Sequence, residues 1–346
     1  MIITYLRSSS YNRWDFCPHL YMAEYLLGIV GPSNKAADKG TIVHKVLELI
    51  AKIQQAKLNK QKTIIFPECG KISIYKYDIN DLIEKVYIYY STQITHYEWK
   101  PTDFKDCKNW TWKALQYNKG QFDPRKIKIV KPELSFDFIV EEPWAMYDYT
   151  VDDKKIQGFL GLKGTIDFIK EISPTCYECV DYKTGATRKN WATDEIKDET
   201  TLRHDPQLRM YHYAIHKIFP QLEQVIMTIF YINAGGPFSI CLDKNDLAET
   251  EEILKQRFIQ IKDCRIPPLN KSWKCSKLCF CGKNNYAVLE KKPLVEFRKG
   301  RYNFGQTMTI CQQLEFEIQK RGLEKVVQEY TTKDFDVASY RNPGEI

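Results

Sequence analysis

Two short stretches of this chain carry a recognisable chemistry: Gly164-Thr165-Ile166-Asp167 and, after a turn, Val180-Asp181-Tyr182-Lys183-Thr184-Gly185. The second places a carboxylate and an ammonium two residues apart in an apolar run that reads as a strand. Side chains at i and i+2 of a strand share one face, so Asp181 and Lys183 lie on the same side. Asp167 falls at the end of the run Phe159 to Ile169, which reads as one strand. Residues 171 to 175 read as a turn, and the two runs pair as a hairpin. Neighbouring strands are about 4.8 Å apart, so Asp167 and Asp181 converge on one hard cation with Lys183 beside it. Phosphodiester hydrolysis needs an attacking water, neutralisation of a crowded anion and a stabilised leaving oxygen. Carboxylate-held Mg²⁺ or Mn²⁺ serves all three, and a fixed lysine adds charge at the phosphoryl oxygens. The ordinary alternative is a surface hairpin with an unremarkable Asp-Lys pair.

The elements that must position these residues follow from periodicity. Apolar residues at helical spacing predict a helix over 39–55, with His44 at the edge of its apolar face. Residues 60–125 read as a mainly helical insertion rich in Tyr and Trp. Strand patterns return at 127–140, 156–169 and 177–182. A polar loop follows, then a helix over 206–219 with Pro206 in its first turn. Strands at 225–232 and 238–242, a helix over 246–262 and a helical tail over 305–330 complete the order. That tail carries Ile310, Leu314 and Ile318 on one stripe. Helices interleaved with strands imply an α/β fold.

The chain has 346 residues, 43% hydrophobic and 27% charged, with 51 Lys and Arg against 44 Asp and Glu. These values are ordinary for a globular protein, and the small basic excess permits a polyanionic partner. The first ten residues lack the apolar core of a signal peptide. The longest apolar run is too short to span a bilayer. A cytoplasmic protein without membrane association is expected. Eleven cysteines are then not a disulfide framework. Three of them, Cys275, Cys279 and Cys281, fall within seven residues, which points to metal. Cys176 and Cys179 have Cys-x2-Cys spacing but no nearby partner ligands, and core packing is the better reading.

The order of these motifs resembles the RecB-like exonucleases of the PD-(D/E)xK nuclease superfamily, which include AddB nuclease domains and CRISPR-associated adaptation exonucleases. Ser8-Ser9-Ser10-Tyr11 with Cys17-Pro18 is similar to the family's opening motif, and Gly40-Thr41-Ile42-Val43-His44 to its glycine-to-histidine helix motif. Glu133 corresponds to a preceding glutamate. Asp167, Asp181 and Lys183 correspond to the catalytic core, and Gln207 to Tyr211 to the Gln-x-x-x-Tyr helix. The resemblance implies a restriction-endonuclease-like core, a mixed central sheet flanked by helices, over 1–285, with the 60–125 insertion inside it and a helical tail over 286–346. It makes His44 a third metal ligand, and gives Glu133, Gln207 and Tyr211 roles in DNA contact or site support. It also implies that Cys17 joins Cys275, Cys279 and Cys281 around a [4Fe-4S] cluster. The Cys-x3-Cys-x-Cys spacing departs from the family pattern and keeps zinc open as the alternative.

Basic runs at Lys119, Arg125, Lys126, Lys128 and Lys131, at Arg188 and Lys189, and at Lys291, Lys292, Arg298, Lys299 and Arg301 are available for phosphate. Only Arg188 and Lys189 follow the catalytic strand directly, which makes them the best contact candidates. No Gly-x4-Gly-Lys-Ser/Thr loop accompanies them. The expected function is metal-dependent DNA cleavage, exonucleolytic at ends or on single strands, in replication, recombination or CRISPR adaptation, in a phage or other mobile element among other settings, with a recombination or replication protein as partner. The rival is a nuclease-silent DNA-binding scaffold with a structural iron-sulfur or zinc centre.

Overall fold

A computed structural model of the chain describes residues 1–29, 33–151, 154–189, 194–277, 279–282 and 309–330. At its centre is a mixed sheet of five strands in the order Gly236–Asp243, Gln224–Tyr231, Cys176–Lys183, Phe168–Ser173, Ile129–Lys131. Cys176–Lys183 pairs parallel with Gln224–Tyr231 and antiparallel with Phe168–Ser173. The parallel pair needs a crossover, supplied by the helix Pro206–Ile218. Successive residues of the central strands are buried on opposite faces. Cys179, Met227 and Ile229 pack with the helices Pro206–Ile218 and Leu247–Lys262. Val180, Tyr182 and Phe230 pack under the helix Lys35–Leu58 and the inserted segment. Strands buried on both faces explain the nearly continuous apolar run of Gln224–Tyr231.

A second sheet of three strands sets Gly161–Ile166 between Tyr5–Arg7 and Leu134–Ile139. The run over 156–169, expected as one strand, is three: Lys154–Phe159, Gly161–Ile166 and Phe168–Ser173. Leu160, Leu162 and Ile166 face one core, Phe168 faces the other, and Ile169 returns to the first. The alternation therefore slips by one residue at Asp167, where the chain leaves one sheet for the other. A one-residue slip is what a bulge does, and it re-aims a side chain. The expected strand over 127–140 is likewise two, and a hairpin of Met146–Val151 with Lys154–Phe159 was not anticipated.

The inserted segment contains a hairpin, Thr63–Phe66 with Gly70–Ser73, and the helices Ile79–Gln93 and Pro101–Gln116. The helix predicted over 39–55 runs from Lys35 to Leu58, started by the Asn34 side chain, which accepts from the Ala37 N–H. The C-terminal helices Ile310–Arg321 and Leu323–Tyr330 are separated by Gly322 at φ +86°, a value that favours glycine. Ile310, Leu314 and Ile318 are buried, packing against Phe16, Leu20 and Leu27 near the other end of the chain. The rest of the expected 286–346 tail, including Lys291, Lys292, Arg298, Lys299 and Arg301, lies outside the described residues. Among the described residues no helix is long and apolar enough to cross a membrane.

Candidate active site and thiol cluster

The break at Asp167 turns its side chain toward the end of the adjacent strand. Asp167 Oδ2 accepts a hydrogen bond from the Tyr182 N–H at 2.7 Å, between Asp181 and Lys183. Its Oδ1 stands 3.2 Å from His44 Nδ1 on the Lys35–Leu58 helix. Asp181 receives two donors. Lys183 Nζ is 2.5 Å from Oδ2, an ion pair so poorly aligned that this buried oxygen has no directed hydrogen bond. Gln207 Nε2 donates to Oδ1 at 2.8 Å. Gln207 is held in turn by Asp205, whose side chain caps the Pro206–Ile218 helix through the Gln207 and Leu208 N–H groups. Tyr211, one turn further on, is 2.7 Å from the Gln207 amide and donates to the Thr165 carbonyl at 2.6 Å. One helix thus ties both acidic strands together.

The charges of the four central groups act on one another. Burial pushes the Asp181 carboxyl up, and the charge of Asp167 adds to that; Lys183 only partly offsets them. Burial also acts against ionised Asp167, but His44, Lys183 and the Tyr182 N–H overcome it and hold the carboxyl low. For His44 and Lys183 burial lowers the pKa, yet the facing carboxylates win and both end above their ordinary values. Two carboxylates pushed in opposite directions by their surroundings mark a site organised for chemistry.

Asp167, His44 and Lys183 line a cleft of about 460 Å³, and Asp181 is buried beside Lys183. Glu133 precedes the strand Leu134–Ile139, whose Leu134 pairs with Ile166, so it stands opposite Asp167. Burial and the neighbouring Glu48 push the Glu133 carboxyl up. Glu48 was not singled out from the sequence; the signal was its place one turn after His44 on the same helix face. Lys45 pairs with Glu48 at 2.6 Å, and Lys52 bridges Glu48 and Glu133. At Gly40 a Cβ would lie 2.7 Å from Thr184 Oγ1, so a larger residue there would have to turn the Thr184 side chain aside.

Two oxygen-bearing side chains and an imidazole, with one buried carboxylate oxygen lacking an aligned donor, form a donor set that fits Mg²⁺ or Mn²⁺. Among the described residues no three His, Cys, Asp or Glu side chains stand in a metal-ready arrangement. The carboxylates are instead paired with Lys183, His44 and Gln207.

The basic residues are largely engaged internally. Arg188 stacks on Phe238 at 4.2 Å, while Lys189 is exposed and its backbone bridges to Ile196. Arg125 chelates Asp123, Lys126 donates to the Lys119 carbonyl, and Lys128 pairs with Glu171.

Cys17, Cys279 and Cys281 are buried in one apolar cluster at the junction of the chain's two ends. The fourth thiol there is Cys311, which the sequence reading passed over. Cys281 and Cys311 hydrogen-bond to Cys279 and hold its thiol well below the usual range. Burial and the thiolate they face push Cys281 up, and the same neighbour raises Cys311. Cys275 turns its thiol to the Asn270 carbonyl at 3.3 Å. The donor set is sulfur-only, which suits iron-sulfur or zinc and not a hard cation. Cys179 is buried in the main core, whereas Cys176 is partly exposed.

No curated protein matches the chain. Among solved structures it is similar to a candidate exonuclease of Eubacterium rectale, at 14% identity and TM-score 0.43, over 86% of this chain and 94% of that one. It is also similar to the protein SSO0001, at 16% identity and TM-score 0.23, over 57% of this chain and 71% of that one. The family profile is far more specific. It covers residues 8–282, from the first helix through the thiol segment, and takes in both acidic strands and the helix that ties them. The chain belongs to the PD-(D/E)XK nuclease superfamily.

Proposed function

We propose that the protein is a Mg²⁺- or Mn²⁺-dependent deoxyribonuclease of the RecB-like kind, acting as an exonuclease on DNA ends or single strands, in replication, recombination or CRISPR adaptation. The observation that carries this reading is the convergence of Asp167, Asp181, Lys183 and His44, of which Asp167, Lys183 and His44 line one cleft. Asp167, Asp181 and His44 would hold the cation, which would supply Lewis acidity and a lowered pKa for its water. Lys183 exchanges Asp181 for a phosphoryl oxygen of the substrate and stabilises the charge that builds there. Gln207 keeps Asp181 in place while Lys183 moves, and Tyr211 fixes Gln207. Glu133, Glu48 and Lys45 border the cleft as site support, and Lys52 bridges the two glutamates. Lys189, exposed beside the catalytic strand, and Arg188 contact the DNA backbone. The chain works in the cytoplasm, with a recombination or replication protein as partner.

The thiol cluster is a structural centre, holding a [4Fe-4S] cluster or zinc through Cys17, Cys279, Cys281 and Cys311, with Cys275 at its edge. Hydrolysis needs no redox step, so the centre's work is to join the chain ends.

The test is a nuclease assay on end-labelled linear DNA and closed circular DNA, with Mg²⁺, with Mn²⁺ and with EDTA. Cleavage of linear DNA alone, abolished by EDTA, is the expected result. Robust cleavage by metal-free protein would rule the mechanism out. DNA binding without cleavage in any metal would favour the nuclease-silent scaffold.

A further inference from the structure

A second lysine–aspartate pair stands behind the first. Asp205 spends its two oxygens on different partners. Its Oδ1 accepts from the Gln207 N–H at 2.9 Å and the Leu208 N–H at 3.3 Å, at the start of the Pro206–Ile218 helix. Its Oδ2 pairs with Lys197. Both side chains are largely withdrawn from water, Lys197 at 14% exposure and Asp205 at 6%. A buried carboxylate that loses its cation is left as an uncompensated charge. Lys197 is brought to this place by backbone pairing. Its N–H donates to the Arg188 carbonyl at 2.8 Å, and Lys189 bridges to Ile196.

The charge of Asp205 also reaches Lys183. Burial lowers the Lys183 pKa, Asp181 and Asp167 raise it, and Asp205 adds to their pull. Tyr231 lies opposite Lys183 on the neighbouring strand. Its hydroxyl is pushed up by burial and then by Asp205 and Asp181, so both carboxylates face the same place. Three carboxylates therefore act on one ammonium. Lys183 contacts Asp181 at 2.5 Å, and Gln207 holds the other oxygen of that carboxylate at 2.8 Å. An Asp205 without a cation of its own would draw Lys183 away, because attraction between charges strengthens where water is excluded.

We infer that Lys197 is a positioning residue for phosphodiester cleavage: by occupying Asp205 it leaves Lys183 on Asp181, from where the lysine passes to the substrate phosphate. Lys197 touches no reacting atom and acts through Asp205 alone. Asp205 has work of its own, because its Oδ1 sets the helix start from which Gln207 reaches Asp181. Lys197 lets a carboxylate do that work without competing for Lys183. This deepens the nuclease reading and rests on it for the cleavage step, while the placement of Lys183 is also read from metal binding.

The experiment compares wild type, Lys197→Met, Asp205→Asn and the double variant. Cleavage of end-labelled DNA in Mn²⁺ is timed well below each melting midpoint, and Mn²⁺ alone is titrated into DNA-free protein by calorimetry. Asparagine caps a helix as well as aspartate does, so Asp205→Asn keeps the cap and removes the charge. Lys197→Met should lower kcat by about 10- to 100-fold with KM little changed, the range for residues that orient the ligands of a metal site. Asp205→Asn alone should cut at close to the wild-type rate, and adding it to Lys197→Met should restore most of the loss. Lys197→Met should also bind Mn²⁺ at least as tightly as wild type, because Lys183 has let go of Asp181; a merely structural role would weaken Mn²⁺ binding together with the rate. If Lys197→Met does not fold, Lys197→Gln makes the same comparison. A wild-type kcat in the folded lysine variant, a double variant as slow as the single one, or weakened Mn²⁺ binding overturns the inference. Mn²⁺ binding without cleavage by wild type would remove the nuclease reading, and the order of Mn²⁺ affinities would still decide where Lys183 sits. No Mn²⁺ binding and no cleavage by wild type sinks both.

Discussion

At the residue scale, each side chain proposed for catalysis already has a partner that something else must displace. Lys183 leans on Asp181, His44 on Asp167, and Gln207 supports the carboxylate that Lys183 is to release. These roles separate in mutants. Asp181→Ala and Lys183→Ala should each lower the cleavage rate by on the order of 10² or more, since both act on the transition state. DNA affinity should stay near wild type. Steady-state rates read beside anisotropy titrations check this, and a well-folded Lys183→Ala protein with wild-type rates would remove lysine from the mechanism. Gln207→Ala should produce a smaller fall, about tenfold, in kcat with KM little changed, because Gln207 orients Asp181 and touches no substrate. A change confined to KM would reassign Gln207 to DNA contact.

Two glycines bring out the element scale, because their Cβ atoms would meet different obstacles. At Gly164, on the strand leading into Asp167, a Cβ would lie 2.4 Å from the Phe136 ring of the neighbouring strand. Phe136 is buried and cannot withdraw. Gly164→Ala should cost about 1–3 kcal/mol by overpacking, seen as a lowered denaturant midpoint. Gly40 sits inside a helix, where alanine is intrinsically better by about 1 kcal/mol. Its obstacle is the Thr184 hydroxyl at the catalytic strand's end. Gly40→Ala should therefore hold or raise the melting temperature while lowering kcat, a combination that distinguishes a displaced strand end from a damaged fold. A melting temperature that falls with activity would show that the contact is structural only.

At the scale of the whole molecule, the N-terminal helical segment packs with the helices over 310–330, and the interior carries titrating groups far from the cleft. Ser in place of Cys17, Cys279, Cys281 or Cys311 should lower thermal stability first and activity as a consequence. Anaerobically purified protein should be brown with an iron-sulfur centre and colourless with zinc; metal analysis finding neither would end the proposal of a centre. His212 sets a pH limit of its own. Burial, then His216 and Arg209, push its imidazole down to about 4 from an ordinary 6.5. Both ring nitrogens are already engaged, by the Thr250 hydroxyl at 3.0 Å and the Asp243 carbonyl at 3.1 Å. The folded state thus prefers neutral histidine. Its contribution is complete above pH 6.5 and is lost as pH falls from 6.5 toward 4, a total on the order of 3 kcal/mol. Melting curves across that interval should slope downward toward acid, and His212→Gln should flatten the slope.

The hairpin that brings Asp181 toward Asp167 was legible in the sequence, because spacing along a strand dictates which side chains share a face. Phe168–Ser173 does pair with Cys176–Lys183, and the helices over 35–58, 206–218 and 247–262 follow from apolar periodicity. Family membership was legible too, since motif order is a property of the chain alone. Periodicity says that a face is buried, but not against what. The approach of His44 to Asp167 spans 123 positions. Cys311 joins thiols that lie at least 30 positions upstream in sequence, from Cys281 back to Cys17. The slip at Asp167 looks like an ordinary strand until two sheets compete for its two ends. The grip of the inserted segment on the Lys35–Leu58 helix depends on ion pairs between elements whose order implies no contact. Which residues can act is local information carried by the chain. How closely they approach was decided by tertiary packing.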